Sequence, residues 1–190
     1  MDNTKNLFSL RKNYQSAQLL ETDLPSDPLL LFDQWFQEVS DEGGVAEVNA
    51  MTLSTSDNKG TPRSRVVLLK HIHDGGFVFF TNYDSAKGRA MAENPQVCLS
   101  FFWPNLERQV IVTGQVEVID EKASDTYFQE RPRGSQIGAH VSMQSSPIAS
   151  RDVLDNKLTE LEQRYHNKPI PRPSNWGGYR VVPQTIEFWQ

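Results

Sequence analysis

Short segments in which apolar and polar residues alternate recur along the chain, and this alternation is typical of β-strands with one buried face. Turn sequences separate the first three of them, Asn-Lys-Gly at residues 58–60 and His-Asp-Gly-Gly at residues 73–76. The predicted strands cover residues 49–56, 61–71, 76–83, 96–103, 107–120, 177–182 and 184–190. We expect the last two to form a closing pair.

Other segments have the features of helices. Asp27 suits the N-cap of the first, which Gly43 and Gly44 end. Ser85 suits the cap of the second, and Pro132 stops the third. The predicted helices lie within residues 26–44, 84–95, 120–132 and 150–166.

Many strands joined by short turns, with a few helices between them, indicate an α+β domain built on a mainly antiparallel sheet or barrel. The sequence has no β-α-β alternation and neither a GxGxxG nor a Walker motif, which argues against a Rossmann-type nucleotide site. Its 190 residues suit one folded domain. We expect residues 1–26, which are polar and mixed, to form a flexible arm and residues 27–190 to form the domain.

Charge and cysteine content narrow the function classes. The formal net charge of -5 argues against nonspecific nucleic-acid binding. The single cysteine, Cys98, lies in an apolar run and predicts a buried, inert thiol. Only His71 and His73 approach a metal-binding spacing, and we expect them to be solvated. Because the sequence contains no apolar signal core and no membrane-spanning run, we expect a cytoplasmic protein without membrane partners.

Two clusters of basic and polar residues are candidates for anion binding. Arg65 and Lys70 would face opposite sides of a flat strand, so a single ligand that contacts both requires a bulge or bend between them, or the two residues contact different parts of that ligand. Thr81 ends a predicted strand, and Lys87 stands in the first turn of a helix, where free backbone N–H groups favour anions. An exposed basic strand and a solvated lysine are the alternatives.

A third cluster lies in residues 126–146, TYFQERPRGSQIGAHVSMQSS. Tyr127 and Arg131 are four residues apart and share one face of the predicted helix, and the turn at Pro132 can bring Ser135 to the same side. A phenol, a guanidinium and a hydroxyl together suit a phosphate monoester. A solvated loop is the alternative. Since the sequence offers no strong nucleophile or acid–base pair, we expect a cofactor to carry the chemistry.

Together these segments resemble the pyridoxine (pyridoxamine) 5′-phosphate oxidase family. The resemblance runs from about Leu10 to the end of the chain and is carried by RVVLLK, Phe80-Thr81, LERQV, YFQERPRGSQIGAHVSMQSS, NWGGYRV and IEFWQ. It implies a split antiparallel β-barrel with peripheral helices, forming a homodimer with FMN at the subunit interface. The implied reaction converts pyridoxine 5′-phosphate or pyridoxamine 5′-phosphate to pyridoxal 5′-phosphate. A hydride passes from C4′ to the flavin N5, and O2 then reoxidises the flavin and yields H2O2.

The resemblance also implies roles for individual residues. The substrate phosphate would contact Lys70, Tyr127, Arg131 and Ser135, and a lid segment would add Arg11 and Tyr14. FMN would contact Arg65, Val66, Val67, Leu68, Leu69, Lys70, Phe80, Thr81, Lys87, Gln109, Gln144, Ser145 and Trp189. Its phosphate or neighbouring groups would be held by Arg65, Lys87, Gln144 and Ser145.

The sequence departs from the family pattern at two places. Ala86 stands where a second basic residue is usual, which removes one phosphate contact. The family continues past EFWQ into a segment with Arg-Leu-His-Asp-Arg, whereas the sequence stops at Gln190, so we expect those contacts to be missing. The alternative functions are a non-catalytic split barrel that binds FMN or pyridoxal phosphate, and a phenazine-type flavin oxidase with another ring substrate.

Overall fold

The computed structural model describes residues 7–10 and 13–190 and confirms an α+β fold on an antiparallel sheet. The strands are β1 (Ala50–Ser56), β2 (Pro62–Leu68), β3 (His71–His73), β4 (Gly76–Asn82), β5 (Gln96–Trp103), β6 (Arg108–Val118) and β7 (Trp176–Trp189). The helices are α1 (Pro28–Glu42), α2 (Ala86–Glu93), α3 (Glu121–Glu130), α4 (Arg133–Val141) and α5 (Arg151–Arg164), preceded by a 3₁₀ turn at Glu21–Asp23. Across the described part of the chain, none of the helices combines the length and apolarity needed to cross a membrane.

The connection between β2 and β3 forces the sheet to curl. The strand order is β2-β1-β5-β6-β7-β4-β3, so these consecutive strands lie at opposite edges. In a flat sheet the edges would be about 29 Å apart, whereas the link through Leu69 and Lys70 spans at most about 10 Å. The Leu69 N–H donates to the Asn49 carbonyl and the Lys70 N–H to the Val78 carbonyl, each at 2.8 Å. The chain therefore changes partners here, and the bend required between Arg65 and Lys70 is present.

Helix α1 closes one end of the curled sheet. It begins as predicted, because the Asp27 carboxylate accepts a hydrogen bond from the Leu29 N–H at 2.9 Å. Its apolar face places Phe32 in the core, with its ring centroid 5.0 Å from those of Phe77 and Phe101. These edge-on aromatic contacts anchor the helix to both halves of the sheet.

Helix α4 was not predicted, and the solvated-loop alternative is wrong for residues 133–141. Pro132 ends α3 because its ring removes an N–H donor, but its carbonyl accepts the N–H groups of Ser135 and Gln136 at 2.8 and 3.1 Å. The same residue therefore stops one helix and starts the next. Ile137 of α4 packs in a second apolar cluster with Phe128, Leu161, Ile170 and Trp176.

The predicted pair of closing strands is wrong in one respect, because residues 176–189 form the single strand β7. Pro183 does not break it, since Pro183 pairs with Gly114 at a register shift in β6, where a missing N–H is tolerated. Gly114 is needed there: a Cβ would lie 2.1 Å from the Val182 carbonyl oxygen. One half of β7 pairs with β4, and most of its length pairs with β6.

Cys98 lies in β5 and is half-buried. Burial raises the pKa of its thiol, and the negative charge of Glu187 raises it further. The neutral thiol is therefore the favoured form, in agreement with the inert cysteine expected from the sequence.

Candidate functional site

A cavity of about 600 Å³ lies between the curled sheet and helices α3 and α4. It brings together residues from all three clusters that the sequence predicted. Those that line it are Val66, Val67, Leu68, Lys70, Phe80, Thr81, Lys87, Tyr127, Arg131, Ser135 and Gln144. The cavity therefore joins segments that are far apart in the chain.

One end of the cavity is built around Lys87. Ser85 caps α2 by accepting the Gly88 N–H, which sets Lys87 in the first helical turn facing the end of β4. The Lys87 Nζ donates to Thr81 Oγ1 at 3.0 Å, to Gln144 Oε1 at 3.1 Å and to Ser85 Oγ at 3.3 Å. Only 8% of the residue is exposed, so three neutral oxygens replace the hydration of its ammonium group.

The Lys87 end lacks a counter-charge. Burial and, to a smaller extent, the charge of the nearby Arg65 guanidinium together lower the pKa of Lys87 to about 8. In residues 7–10 and 13–190, no carboxylate lies within ion-pairing distance of Lys87. A buried cation among neutral acceptors suits an anionic ligand, because the anion supplies the missing charge.

Arg65 lies next to this end but does not line the cavity. Its Nη1 donates to Thr55 Oγ1 at 2.8 Å and to the Leu53 carbonyl at 3.2 Å, across the β1–β2 pairing. Burial lowers its pKa, and Arg63 contributes in the same direction. Its charge acts on Lys87, and we therefore group the two cations together.

The other end of the cavity is built from aromatic rings and Arg131. Phe80 and Tyr127 stack with centroids 3.9 Å apart, and Trp176 lies parallel to both. The Arg131 guanidinium carbon is 4.4 Å from the centroid of the Trp176 ring. Burial lowers the pKa of Arg131, and its Nη1 is buried without a hydrogen-bond partner in the described part of the chain. A planar cation held by its face keeps its edge donors for a ligand.

The prediction that Tyr127 and Arg131 share a helical face is wrong, although both line the cavity. Helix α3 ends at Glu130, and Arg131 has φ -70° and ψ 145°. Its extended conformation follows from Pro132, whose ring disfavours a helical residue before it. Arg131 reaches the cavity through this turn rather than along the helix.

Lys70 and Ser135 complete this end. Lys70 lies in the crossing between β2 and β3, with its Nζ 5.9 Å from the centroid of the Tyr127 ring. Ser135 stands in the first turn of α4 with its side chain exposed towards the cavity. The predicted group of Lys70, Tyr127, Arg131 and Ser135 therefore lines one region of one cavity.

Sequence reasoning gave Trp176 no role, although its ring is the platform for Arg131. The two glycines that follow allow the strand to pack closely at this point. A Cβ at Gly177 would lie 2.0 Å from the Tyr83 hydroxyl, and one at Gly178 would lie 2.4 Å from Ile119 Cδ1. The Trp176 carbonyl accepts from Arg172, which also pairs with Asp125. The run Asn-Trp-Gly-Gly at residues 175–178 was the only sequence signal for a role of Trp176. A sequence does not show that this ring stacks with side chains from two other segments.

Other predicted residues do not line the cavity: Leu69, Gln109, Ser145, Trp189 and Tyr14. Gln109 donates to Ser100 Oγ at 3.1 Å, and the Tyr14 and Trp189 rings meet edge-on at 5.3 Å. Arg11 lies outside the described residues. Within residues 7–10 and 13–190, no group of three His, Cys, Asp or Glu side chains could hold a metal ion.

The chain is similar to a group of named proteins. The sequence model of pyridoxamine 5′-phosphate oxidase matches residues 40–165. A pyridoxine/pyridoxamine 5′-phosphate oxidase from Flavobacterium psychrophilum is 56% identical over 98% of this chain and 87% of its own length. One from Flavobacterium johnsoniae is 55% identical over 97% of this chain and 86% of its own length.

The fold is also similar to that of solved structures. PhzG from Burkholderia lata, solved with tetrahydrophenazine-1-carboxylic acid, has a TM-score of 0.85 and 29% identity over 92% of this chain and 87% of its own. A pyridoxamine 5′-phosphate oxidase-related, FMN-binding protein from Nostoc punctiforme has a TM-score of 0.68 and 14% identity, over 87% of this chain and 86% of its own. The predicted split-barrel fold is confirmed.

Proposed function

The chain belongs to the pyridoxamine 5′-phosphate oxidase family, and from this membership we propose an FMN-dependent oxidase that converts pyridoxine 5′-phosphate or pyridoxamine 5′-phosphate to pyridoxal 5′-phosphate. O2 is the proposed acceptor, and H2O2 the second product. The observation that carries the proposal is one cavity with two cationic ends, Lys87 at one and Arg131 at the other. A phosphorylated substrate that reacts beside a phosphorylated cofactor needs two such ends.

The Lys87 end fits the phosphate of FMN. A phosphate dianion would supply the counter-charge that the buried lysine lacks, and the first turn of α2 adds backbone N–H donors. When bound, FMN supplies the two-electron acceptor for C4′ of the substrate. The proposed contacts are Arg65, residues 66–70, Phe80, Thr81, Lys87, Gln109, Gln144, Ser145 and Trp189.

The Arg131 end fits the substrate phosphate. The buried Nη1 of Arg131 has no hydrogen-bond partner among residues 7–10 and 13–190 and would donate to a phosphate oxygen. Tyr127 and Ser135 add hydroxyl donors, and Lys70 adds a second positive charge. The chain's contribution to the reaction is alignment, because a substrate fixed by its phosphate has little freedom left at C4′.

We propose that a second copy of the chain completes the site. Gln109 and Trp189 pair directly on neighbouring strands, and the pairing register puts them on one sheet face with Val66 and Phe102. Val66 and Phe102 are 65% and 61% exposed. Trp176, which lines the cavity, and Trp189 are at opposite ends of β7, about 40 Å apart along the strand. A partner packed on this apolar face would bring its own Gln109 and Trp189 to the cavity.

The test is anaerobic. The purified chain is loaded with FMN, pyridoxine 5′-phosphate is added, and the visible absorbance of the flavin is followed. Bleaching, with pyridoxal 5′-phosphate formed in equal amount, is the expected result. If the colour persists although FMN is demonstrably bound, the B6 oxidase proposal fails, and a non-catalytic flavin-binding barrel or an oxidase of another substrate takes its place.

A phenazine-type oxidase is the second candidate, because PhzG has the same fold at 29% identity and was solved with a tricyclic ligand. The two candidate functions differ in whether the substrate must carry a phosphate. The B6 oxidase needs the 5′-phosphate at Arg131, so unphosphorylated pyridoxine should bleach the flavin far more slowly. Reduction by a dihydrophenazine carboxylate but not by pyridoxine 5′-phosphate would favour the second candidate.

A further inference from the structure

Glu107 is a buried acidic residue to which the proposed reaction assigns no role. It lies in the turn between β5 and β6 with only 4% of its surface exposed. Its φ is +56°, in the left-handed region that costs a non-glycine residue energy. A buried carboxylate on a strained backbone persists only where the surrounding structure holds it in place.

The carboxylate of Glu107 binds the N-terminal segment. Its Oε2 accepts the N–H of Gln15 at 2.7 Å and the N–H of Ser16 at 3.0 Å. These are charge-assisted bonds between groups more than 90 residues apart in sequence. They fix the path of the backbone and do not depend on the side chains of Gln15 and Ser16.

The N-terminal segment has few other fixed points. The side chains of residues 13–18 are all exposed, and Leu19 is the first that packs partly against the core. In the described part of the chain, residues 13–18 make two hydrogen bonds, both to Glu107, and one ring contact, from Tyr14 to Trp189. The position of Tyr14 therefore depends on the bonds made by the residue that follows it.

Glu107 also lies beside the proposed flavin contacts. Gln109 is two residues further along, and it pairs with Trp189 across the β6–β7 ladder. The Tyr14 ring stands edge-on to Trp189, with 86° between the planes. One short region, where β6 begins and β7 ends, thus holds the N-terminal segment and a proposed cofactor contact together.

We propose that Glu107 is a positioning residue that fixes the N-terminal segment and holds Tyr14 against Trp189, and thereby sets the affinity for substrate. The last step rests on the proposed function, with Trp189 at the flavin and Tyr14 in the substrate contact that the family resemblance implies. Glu107 itself touches neither.

The direct test is amide hydrogen exchange of the peptide covering residues 13–20. In Glu107→Ala, exchange at Gln15 and Ser16 should become at least about tenfold faster, because both amides lose their acceptor. Glu107→Gln keeps an acceptor oxygen and the side-chain volume, so it should fold as the parent does and give a smaller acceleration. Glu93→Ala is the matched control, since Glu93 accepts the Asn58 N–H far from the segment. Unchanged exchange in both Glu107 variants would overturn the proposal.

Steady-state kinetics test the link to Tyr14. Glu107→Gln should raise KM for pyridoxine 5′-phosphate several-fold with little change in kcat. If Glu107 acts through Tyr14, adding Glu107→Gln to Tyr14→Ala should raise KM no further. If the rise in KM of the double variant equals the product of the two single rises, Glu107 does not act through Tyr14.

The exchange measurement needs no turnover, so the two proposals can fail separately. Faster exchange without any flavin reduction would leave the Glu107 contact standing and remove the oxidase function. Flavin reduction with unchanged exchange would support the oxidase function and overturn the Glu107 proposal.

Discussion

The two cationic ends of the cavity hold their charges in opposite ways. At one end, three neutral oxygens accept hydrogen bonds from Lys87, so the ammonium is fixed and its donors are engaged. At the other end, Trp176 supports the face of the Arg131 guanidinium, and its buried Nη1 has no hydrogen-bond partner among the residues that the structure describes.

This difference indicates two kinds of ligand. A lysine locked into the framework suits a group that stays bound, because the surrounding oxygens keep it in place before and after each turnover. A guanidinium with free edge donors suits a group that enters and leaves, because the aromatic support is unchanged when the ligand departs. We therefore assign the Lys87 end to the cofactor and the Arg131 end to the substrate.

The largest expected effect comes from removing the guanidinium. Arg131→Ala should raise KM for pyridoxine 5′-phosphate about 100-fold, because two charge-assisted hydrogen bonds of about 1.5 kcal/mol each are lost. FMN affinity should not change. Arg133→Ala is the control, since its guanidinium donates to the carbonyls of Lys168 and Tyr165 and does not line the cavity. Loss of FMN from Arg131→Ala would contradict the assignment of the two ends.

The reciprocal change removes the ammonium. Lys87→Met should raise the Kd of FMN about 30-fold, for the loss of about 2 kcal/mol of electrostatic attraction between the ammonium and the phosphate, and leave KM nearly unchanged at saturating FMN. Titration of FMN fluorescence measures this Kd. Lys59→Met, in an exposed turn, is the control. A variant that keeps its FMN affinity but loses substrate affinity would reverse the two assignments.

The pH dependence of FMN binding sharpens the comparison. Lys87 loses its proton near pH 8 in the folded chain but near 10.5 when unfolded, so between these values the folded state binds fewer protons and its stability rises with pH. In the proposed complex the charged form of Lys87 attracts the FMN phosphate, so the Kd should rise by up to about tenfold per pH unit above 8 until the neutral form predominates. In Lys87→Met, neither the rise of stability with pH nor the rise of the Kd for FMN with pH should occur. A Kd that is flat from pH 7 to 10 would rule out a charged Lys87 as the anchor.

The smallest expected effect tests the aromatic support. Trp176→Leu should raise KM about fivefold, because a cation–π contact of about 1 kcal/mol is lost while the donors of Arg131 remain. Trp176→Phe keeps an aromatic face and should change KM less. FMN affinity separates this effect from general unfolding, because it should be unchanged in both variants. Equal KM values in Trp176→Leu and the parent would show that the ring does not orient Arg131.

Signals from neighbouring residues predicted many of the helices, strands and turns of this structure. The caps at Asp27 and Ser85 and the turn at residues 58–60 are properties of neighbouring residues, and they lie where the sequence placed them. The errors had non-local causes. Pro183 interrupts an isolated strand but not one paired at a bulge with Gly114, and Pro132 stops one helix while starting another.

The candidate site was predictable in part for the same reason. Lys87, Tyr127 and Arg131 stand in polar clusters, which marked them as candidates. Trp176 resembles any core tryptophan until the curl of the sheet brings it beside Arg131. Glu107 resembles any turn carboxylate, because its partners Gln15 and Ser16 belong to a segment without apolar periodicity.

The half-buried thiol of Cys98 bears on how long such a catalyst lasts. An oxidase of the proposed kind releases peroxide close to its own polypeptide at every turnover. Peroxide attacks the thiolate, and the raised pKa of Cys98 keeps that form scarce at neutral pH. The only cysteine of the chain is thus held mainly as the neutral thiol, which peroxide oxidises slowly, and damage by its own product should accumulate slowly over many catalytic cycles.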